Sequence, residues 1–190
     1  MGFGVVGQRH FGGGIGGDTV QVVLSYFSYA HGFVGDNVTN YEVALASGEI
    51  VKAKSSTNKD LWSALKGGGN SFGIVTRYDL AIFPQGDMCY LKRLADDGIS
   101  GAAANRVAKL STTVKADTRI LKLGMQTYRS SFERIKDVAN ILFFITFDLI
   151  PAQLISQSIA RGGNATGLTP LDGPIVVILF YVSYDKPADD

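Results

Sequence analysis

The sequence predicts an α+β protein, and four features of the 190-residue chain support that fold class. Apolar and polar residues alternate on both sides of Gly48 within 40–53, which indicates a β-hairpin. Helical spacing of apolar residues predicts a short helix at 59–66, and alternation resumes in a strand at 72–83. The continuous apolar run at 175–182 is typical of a buried strand.

Several breaker and cap residues set the expected ends of these elements. Residues 55–58 supply N-cap candidates for the helix, and Gly67 is expected to end it. Pro84 is expected to stop the strand that starts at 72, because proline donates no backbone hydrogen bond. A further strand-like stretch is predicted at 19–24.

The texture of the chain changes after residue 86, which predicts a domain boundary there. An alanine-rich stretch at about 99–114 and an amphipathic one at about 129–140 are both expected to be helical. The chain is therefore divided into a strand-rich part, 1–86, and a mixed part, 87–190.

Composition places the chain among globular proteins and narrows its partners. Hydrophobic residues make up 46% and charged residues 18%, a balance unlike that of disordered chains. The 18 basic and 17 acidic residues are interspersed, so no nucleic-acid surface is predicted. The apolar run at 141–147 falls well short of the roughly 20 residues that a membrane-spanning helix needs. Neither a nucleic-acid partner nor a membrane is expected.

The single cysteine and the first residues give little information on the compartment. Cys89 has no second cysteine to pair with, and it is expected to be a small buried hydrophobic residue. Residues 1–7 are glycine-rich and lack the charged start and apolar run of a secretory signal, so none is predicted. The localisation stays open.

Two glycine clusters point to places where the backbone itself matters. Residues 12–17 contain five glycines, and residues 67–73 contain four. Glycine allows a positive φ and lets a backbone come close to a ligand or to another chain segment. As bare patterns these clusters favour loops and turns, with ligand sites as the second interpretation.

Two long segments resemble a known family. The first, at 32–51, reads GFVGDNVTNYEVALASGEIV, and the second, at 58–76, reads NKDLWSALKGGGNSFGIVT. Together they resemble the FAD-linked oxidases of the berberine-bridge-enzyme and vanillyl-alcohol-oxidase type, especially fungal ones. The resemblance extends over 11–86, and a later stretch that includes 163–168 resembles part of that family's substrate domain.

The resemblance implies the second subdomain of a PCMH-type FAD-binding domain at 1–86 plus a partial α+β substrate domain at 87–190. It implies FAD as cofactor, with hydride transfer from an alcohol, sugar or alkaloid-like substrate to the flavin and dioxygen as electron acceptor. The residues implied to line the flavin, several through their backbone, are Gly13, Gly14, Gly35, Asp36, Gly68, Gly69, Gly73, Ile74 and Val75.

The chain also departs from the family pattern. The pyrophosphate loop and the flavin-linking histidine of the first subdomain are not recognisable, and His10 is not assigned that role. Residues 16–25 interrupt a stretch that the family runs through almost directly, and the family's C-terminal segment is not recognised. An incomplete oxidase is therefore expected, and a non-enzymatic fragment with at most an interaction role is the alternative.

Other polar and aromatic residues have structural interpretations. Asp36 is expected to cap or turn the chain before the strand at 40 by an Asx-type hydrogen bond to its own backbone, and His31 to be a polar loop residue. Trp62 is expected in the core. No metal or nucleophile motif is present, so catalytic residues stay unassigned. The phenolic bases of the second half are left unranked: Tyr128, Tyr181 and Tyr184.

Overall fold

The computed structural model describes residues 2–9, 13–85 and 106–185. The chain forms two compact units, the first made of Met1–Ser100 with Gln153–Thr169 and the second of Gly101–Ala152 with Pro170–Asp190. Each unit combines strands and helices, which confirms the mixed α+β fold class. Cys89 and the predicted boundary at 86 lie outside the described residues, and the division into FAD-binding and substrate domains stays a prediction.

The first unit contains two small sheets and four helices in its described part. The strands β2, β3 and β4 form an antiparallel sheet in the order β3-β2-β4, and β1 pairs with β5 in a separate ribbon. The elements in chain order are β1 (Gly2–Val5), α1 (Ile15–Thr19), α2 (Ser28–His31), a 3₁₀ turn (Gly35–Asn37), β2 (Val38–Ala44), β3 (Ile50–Ala53), α3 (Lys59–Gly68), β4 (Ile74–Leu80), β5 (Ile82–Gln85) and α5 (Ala152–Ala160).

The hairpin and the helix predicted in this unit are confirmed. The strands β2 and β3 pair antiparallel with Ala44 opposite Ile50, and Gly48 in the connecting turn has a φ of +84°. The helix α3 begins at Lys59, directly after Asn58. The side-chain cap expected from 55–58 is not formed, because Asn58 has a left-handed backbone and its side chain donates to the carbonyl of Lys52 instead. Local pattern and turn chemistry agree here, so the sequence alone locates these elements.

The core of the first unit lies between the sheet and α3. Alternation along β2 places Tyr41 and Val43 on the face that α3 covers, and both are fully buried. The helix contributes Leu65 and Trp62, and the indole N–H of Trp62 donates to the carbonyl of Val38 at 3.0 Å. The predicted core position of Trp62 is therefore confirmed.

The strand predicted at 72–83 is confirmed over 74–80, which form β4, whereas 82–85 form a separate strand, β5. Two other predictions in the first unit are wrong. Pro84 does not stop a strand but lies within β5, opposite Phe3. A two-stranded ribbon leaves one side of each strand unpaired, so proline is tolerated there. Residues 19–24 are not a strand, because the carbonyl of Val20 accepts hydrogen bonds from the glycine loop after α3.

The second unit is a three-stranded antiparallel sheet with a long helix. Its elements are β6 (Arg106–Lys115), α4 (Thr118–Ile135), β7 (Leu142–Ile150), a 3₁₀ turn (Pro170–Asp172) and β8 (Ile175–Tyr184). The strand order is β6-β8-β7, with β8 hydrogen-bonded on both sides. The apolar run predicted as a buried strand at 175–182 is thus confirmed as the central strand of this sheet.

The two helices predicted for this half need correction. Residues 106–114 belong to β6, which pairs with β8 along its full length, so the helix expected at 99–114 is wrong for its described part. The second helix runs over Thr118–Ile135 instead of 129–140. Asp117 caps it by accepting from the backbone N–H of Arg119 at 2.8 Å. Gly124 lets it approach β7, since an added Cβ would lie 3.1 Å from the ring of Phe147.

Two tyrosines of the second half, Tyr128 and Tyr181, lie in packing contacts. The hydroxyl of Tyr128 donates to the carbonyl of Phe143 at 3.1 Å, and its ring stacks on that residue. The ring of Tyr181 stacks on Phe144 with centroids 4.6 Å apart. Among the described residues no helix combines the length and the apolar character that crossing a membrane requires.

Candidate functional site

A groove in the first unit brings together four of the residues predicted to line a flavin. Gly69, Gly73, Ile74 and Val75 line an open pocket of about 370 Å³. Ligand pockets for small molecules and cofactors typically have volumes of about 300–1,000 Å³. The loop after α3 therefore borders a concave surface large enough to receive part of an organic cofactor.

The rest of the groove wall comes from residues that the sequence analysis did not select. Gly16, Val20, Asn70 and Tyr78 complete the lining. An added Cβ on Gly16 would lie 3.8 Å from the ring of Tyr78, so α1 and β4 approach closely at this point. The glycine run at 12–17 is visible in the sequence, whereas Tyr78 gives no signal because it follows the ordinary alternation of β4.

The glycine loop needs its glycines for backbone reasons. The chain leaves helical geometry at Lys66, and φ is then +109° at Gly67 and +63° at Gly69. The N–H groups of Gly67 and Gly69 both donate to the carbonyl of Val20, at 3.2 and 2.8 Å. At Gly73 φ is +146° and an added Cβ would lie 2.7 Å from the carbonyl oxygen of Ala44. A side chain at Gly73 is thus excluded.

Three other predicted glycines lie outside the groove lining. Gly13 is exposed, and Gly14 is the N-cap of α1, with its carbonyl accepting from Gly17 and Asp18. Gly68 packs against Phe72, whose ring would lie 2.4 Å from an added Cβ. Their flavin contacts stay predictions.

Gly35 and Asp36 lie inside the protein instead of at the groove. An added Cβ on Gly35 would lie 2.9 Å from the carbonyl oxygen of Thr19. Asp36 is 5% exposed, and its carboxylate accepts from the backbone N–H of Phe33 and from the hydroxyl of Ser158, each at 2.9 Å. Burial raises the pKa of Asp36, and these hydrogen bonds oppose that rise. Asp36 lies in the 3₁₀ turn directly before β2, as predicted, but its carboxylate bonds back to Phe33 and does not form the predicted Asx-type bond.

Ser158 belongs to a set of polar residues that joins 153–169 to the rest of the first unit. Its hydroxyl also accepts from the side-chain amide of Asn164 at 2.7 Å. The side-chain amide of Asn37 donates to the carbonyls of His31 and Phe33, both at 2.9 Å. We call Asp36, Asn37, Lys66, Ser158, Arg161 and Asn164 the Asp36 cluster.

Sequence reasoning selected only Asp36 from the Asp36 cluster, and Lys66 is the most deeply buried of the members that it missed. Its side chain is almost fully buried, with the amine 3.2 Å from the centroid of the Trp62 ring and donating to the carbonyl of Arg161 at 2.9 Å. Burial lowers its pKa to about 8, against the opposing effect of the Asp36 charge. The spacing of four residues from Trp62 places Lys66 on the buried face of α3, and this was the available signal.

His31 ends α2 and lies against an aromatic ring. The imidazole stacks on Phe83 with centroids 4.4 Å apart, and it does not line the groove. Its pKa is lowered, mainly by burial and further by the charge of Arg161. Within 2–9, 13–85 and 106–185 no group of three or more His, Cys, Asp or Glu residues could hold a metal ion.

Comparison with curated proteins gives partial but strong sequence similarity. The chain is 57% identical over 84 residues to FAD-dependent monooxygenase tpcD of Cochliobolus heterostrophus, which covers 44% of this chain and 16% of that protein. It is 43% identical over 81 residues to an uncharacterised FAD-linked oxidoreductase of Arthroderma benhamiae, with the same 16% of that protein covered. The matched part thus spans about one sixth of these relatives. No protein-family model matches the chain.

Solved structures give weaker likenesses over most of the chain. The carbohydrate oxidase of Microdochium nivale, solved with a substrate analogue, matches 98% of this chain and 31% of its own, at 23% identity and a TM-score of 0.43. The berberine bridge enzyme of Eschscholzia californica matches 97% of this chain and 29% of its own, at 12% identity and a TM-score of 0.40. The resemblance noted in the sequence is confirmed on the sequence matches: over more than two fifths of its length, this chain is similar to fungal FAD-dependent monooxygenases and FAD-linked oxidoreductases.

Proposed function

We propose that the first unit supplies part of an FAD site in an FAD-dependent oxidoreductase. One observation carries this proposal: four of the residues that the family resemblance assigns to the flavin, Gly69, Gly73, Ile74 and Val75, line one groove. Two relatives that are more than 50% identical over the matched part are FAD-dependent monooxygenases by name, which supports the same cofactor. The match spans only about one sixth of the length of those relatives, so their names support the cofactor class. The activity and the substrate class of this chain are proposed with it.

The residues of the groove fit such a cofactor. No atom lies within 4 Å of the position that a Cβ on Gly69 would take, so a ligand can approach the backbone there. Ile74 and Val75 offer apolar surface, and Asn70 and Tyr78 offer polar groups at the same lining. This mixture of bare backbone, apolar side chains and a few polar groups is the usual composition of a cofactor pocket.

The chemistry follows from the cofactor class. When bound, the flavin supplies a hydride acceptor for oxidation of an alcohol, sugar or alkaloid-like carbon, with dioxygen as the final electron acceptor. The residues of this chain shape the groove, leave the space beside Gly69 open to the ligand and offer apolar surface at Ile74 and Val75. Catalytic acids and bases are not assigned.

The first test is retention of flavin by the purified chain. After incubation with FAD and desalting, we expect the visible absorption bands of a bound flavin. Ile74→Glu is expected to weaken FAD binding at least about tenfold, because it places an ionised carboxylate against the cofactor. Ile74 is 73% exposed, so the substitution leaves the core intact. Titration of FAD, followed by quenching of its fluorescence, measures the affinity.

Ile50→Glu is the matched control. Ile50 is 62% exposed and lies on the same sheet, where it and Ile74 flank Ala44, but it does not line the groove. We expect its FAD affinity to stay within about twofold of the wild type. A colourless wild-type protein after desalting, or equal losses in both variants, contradicts the proposal and favours the alternative of a non-enzymatic fragment with at most an interaction role.

A further inference from the structure

We propose that Lys66 is a positioning residue for the glycine loop 67–73, held in place by residues 161–165. The inference rests on the proposed function for the ligand of the groove, whereas the hold on the loop is a property of the chain itself. Lys66 does not line the groove, so any effect on ligand binding passes through the loop.

Lys66 forms hydrogen bonds to the segment 161–165 through both its side-chain amine and its backbone carbonyl. Its amine donates to the carbonyl of Arg161 at 2.9 Å, and its own carbonyl accepts from the backbone N–H of Ala165 at 2.8 Å. An added Cβ on Gly67 would lie 3.7 Å from the Cβ of Ala165, so the segment also packs at the start of the loop. The segment 161–165 therefore holds both the side chain and the backbone of Lys66.

Lys66 stands where α3 ends and the glycine loop begins, so holding it also fixes the start of the loop. The helical φ and ψ angles of α3 end at Lys66, where ψ is 77°, and Gly67 follows with a φ of +109°. The next hydrogen bonds join the N–H groups of Gly67 and Gly69 to the carbonyl of Val20, which is itself a groove residue. A displaced Lys66 thus moves the first residues of the loop relative to the groove wall.

The chemistry of the site suits a cation better than an apolar side chain. The carbonyl of Arg161 lies just beyond the C-terminus of α5, where positive charge is favoured. The amine also lies over the face of Trp62, 3.2 Å from the ring centroid. The charges that act on it are the carboxylate of Asp36 on the 3₁₀ turn, which favours the ammonium form, and the guanidinium of Arg161, which disfavours it.

A pH profile gives a readout that loss of packing alone does not produce. The pKa of Lys66 is lowered to about 8, mainly by burial. Above that pH the amine is neutral, so its hydrogen bond to Arg161 is no longer charge-assisted and the attraction to Trp62 weakens. We expect the affinity for FAD to fall as pH rises through about 8. Lys66→Arg keeps its charge over this range, so its profile should be flat.

The experiment compares the 190-residue wild-type chain with Lys66→Met, Lys66→Arg and the control Lys109→Met. Lys109 is an exposed lysine of the second unit whose amine also lies over an aromatic ring, that of Tyr181. FAD titrations and amide hydrogen exchange are run from about pH 7 to about pH 9, on either side of the lysine pKa. Exchange is reported as protection factors of the Gly67 and Gly69 amides.

We expect Lys66→Met to bind FAD about tenfold more weakly, equivalent to about 1.4 kcal/mol, and to lower both protection factors by a similar factor. Lys66→Arg should restore both, and Lys109→Met should match the wild type. Unchanged protection and unchanged affinity in Lys66→Met overturn the inference and leave the proposed function intact. A wild type that binds no FAD overturns the proposed function alone. The protection factors of the Gly67 and Gly69 amides still test whether Lys66 positions the loop. If Lys66→Met does not fold, Lys66→Arg decides: protection that falls with pH as in the wild type overturns the inference.

Discussion

Trp62→Ala is expected to lower the free energy of unfolding by about 3–5 kcal/mol, the usual range for removal of a buried aromatic side chain. Trp62 is 6% exposed and packs in one cluster with Tyr41 and Leu65. Its ring also fills the space beside Gly162, where an added Cβ would lie 2.4 Å from the indole. The substitution therefore opens a cavity between α3, the sheet and the segment that follows α5.

The same substitution removes two polar contacts along with the apolar surface. The indole N–H donates to the carbonyl of Val38 at 3.0 Å, and the ring lies under the amine of Lys66. Trp62→Phe separates these effects, since it keeps an aromatic ring and loses the N–H donor. We expect it to cost about 1–2 kcal/mol through the lost hydrogen bond and the smaller ring.

Equilibrium unfolding in urea, followed by far-ultraviolet circular dichroism, measures both variants. Leu123→Ala is a suitable control, because Leu123 is 61% exposed on α4 in the second unit. Its unfolding free energy should stay within about 0.5 kcal/mol of the wild type. A loss below about 1 kcal/mol for Trp62→Ala contradicts the packing described here.

The sequence predicted those parts of the fold whose secondary structure is determined by residues close together in the chain. The hairpin at 40–53 combines alternation with a glycine turn, and the helix at 59–66 combines helical spacing with the glycine that follows it, so no distant contact is needed to specify them. The strand β6 is the contrary case. Its alanine-rich flank suggested a helix, yet Val107, Thr112 and Val114 are β-branched and β6 gains its hydrogen bonds from β8, far along the chain.

The site divides in the same way. Gly69 and Gly73 could be selected because glycine at a ligand-facing loop is visible in sequence, and the family resemblance gave the context. The Asp36 cluster could not be assembled, since Asp36 and Ser158 are separated by 122 positions and a serine in an apolar helix gives no signal by itself. Burial of Lys66 depends likewise on a carbonyl 95 positions away. Contacts of this range come from the fold alone.

Asp36→Ala is the second substitution with a large expected effect, a loss of about 3 kcal/mol in the free energy of unfolding. It removes two hydrogen bonds to a charged acceptor, each worth about 1.5–3 kcal/mol, and the gain from no longer burying a carboxylate offsets part of that sum. The donors left behind are the backbone N–H of Phe33 and the hydroxyl of Ser158. Urea unfolding at neutral pH measures the loss.

The contribution of Asp36 to the free energy of unfolding is expected to depend on pH. The pKa of Asp36 is raised in the folded protein, so the native state holds the proton to a higher pH than the unfolded chain does. Its contribution to stability therefore falls as pH rises from the unfolded pKa through the folded one. Asp36→Asn removes this group, and its unfolding free energy should lack that part of the decline between acid and neutral pH. A decline identical to that of the wild type contradicts the raised pKa.

Asp36→Asn also tests the electrostatic link to Lys66. The Asp36 charge favours the ammonium form of Lys66, so its removal should move the pKa of that lysine below about 8. Titration of the Lys66 side-chain amine by NMR measures this shift directly. Ser158→Ala serves as the control, because it removes the hydroxyl that bonds to Asp36 and leaves the carboxylate in place. If both variants shift the lysine equally, the coupling arises from repacking of α5 and not from the charge of Asp36. A shift confined to Asp36→Asn means that the charge of Asp36 raises the pKa of Lys66, the residue from which the glycine loop starts. The same carboxylate then has two roles, because it also accepts the hydrogen bond from Ser158 of α5.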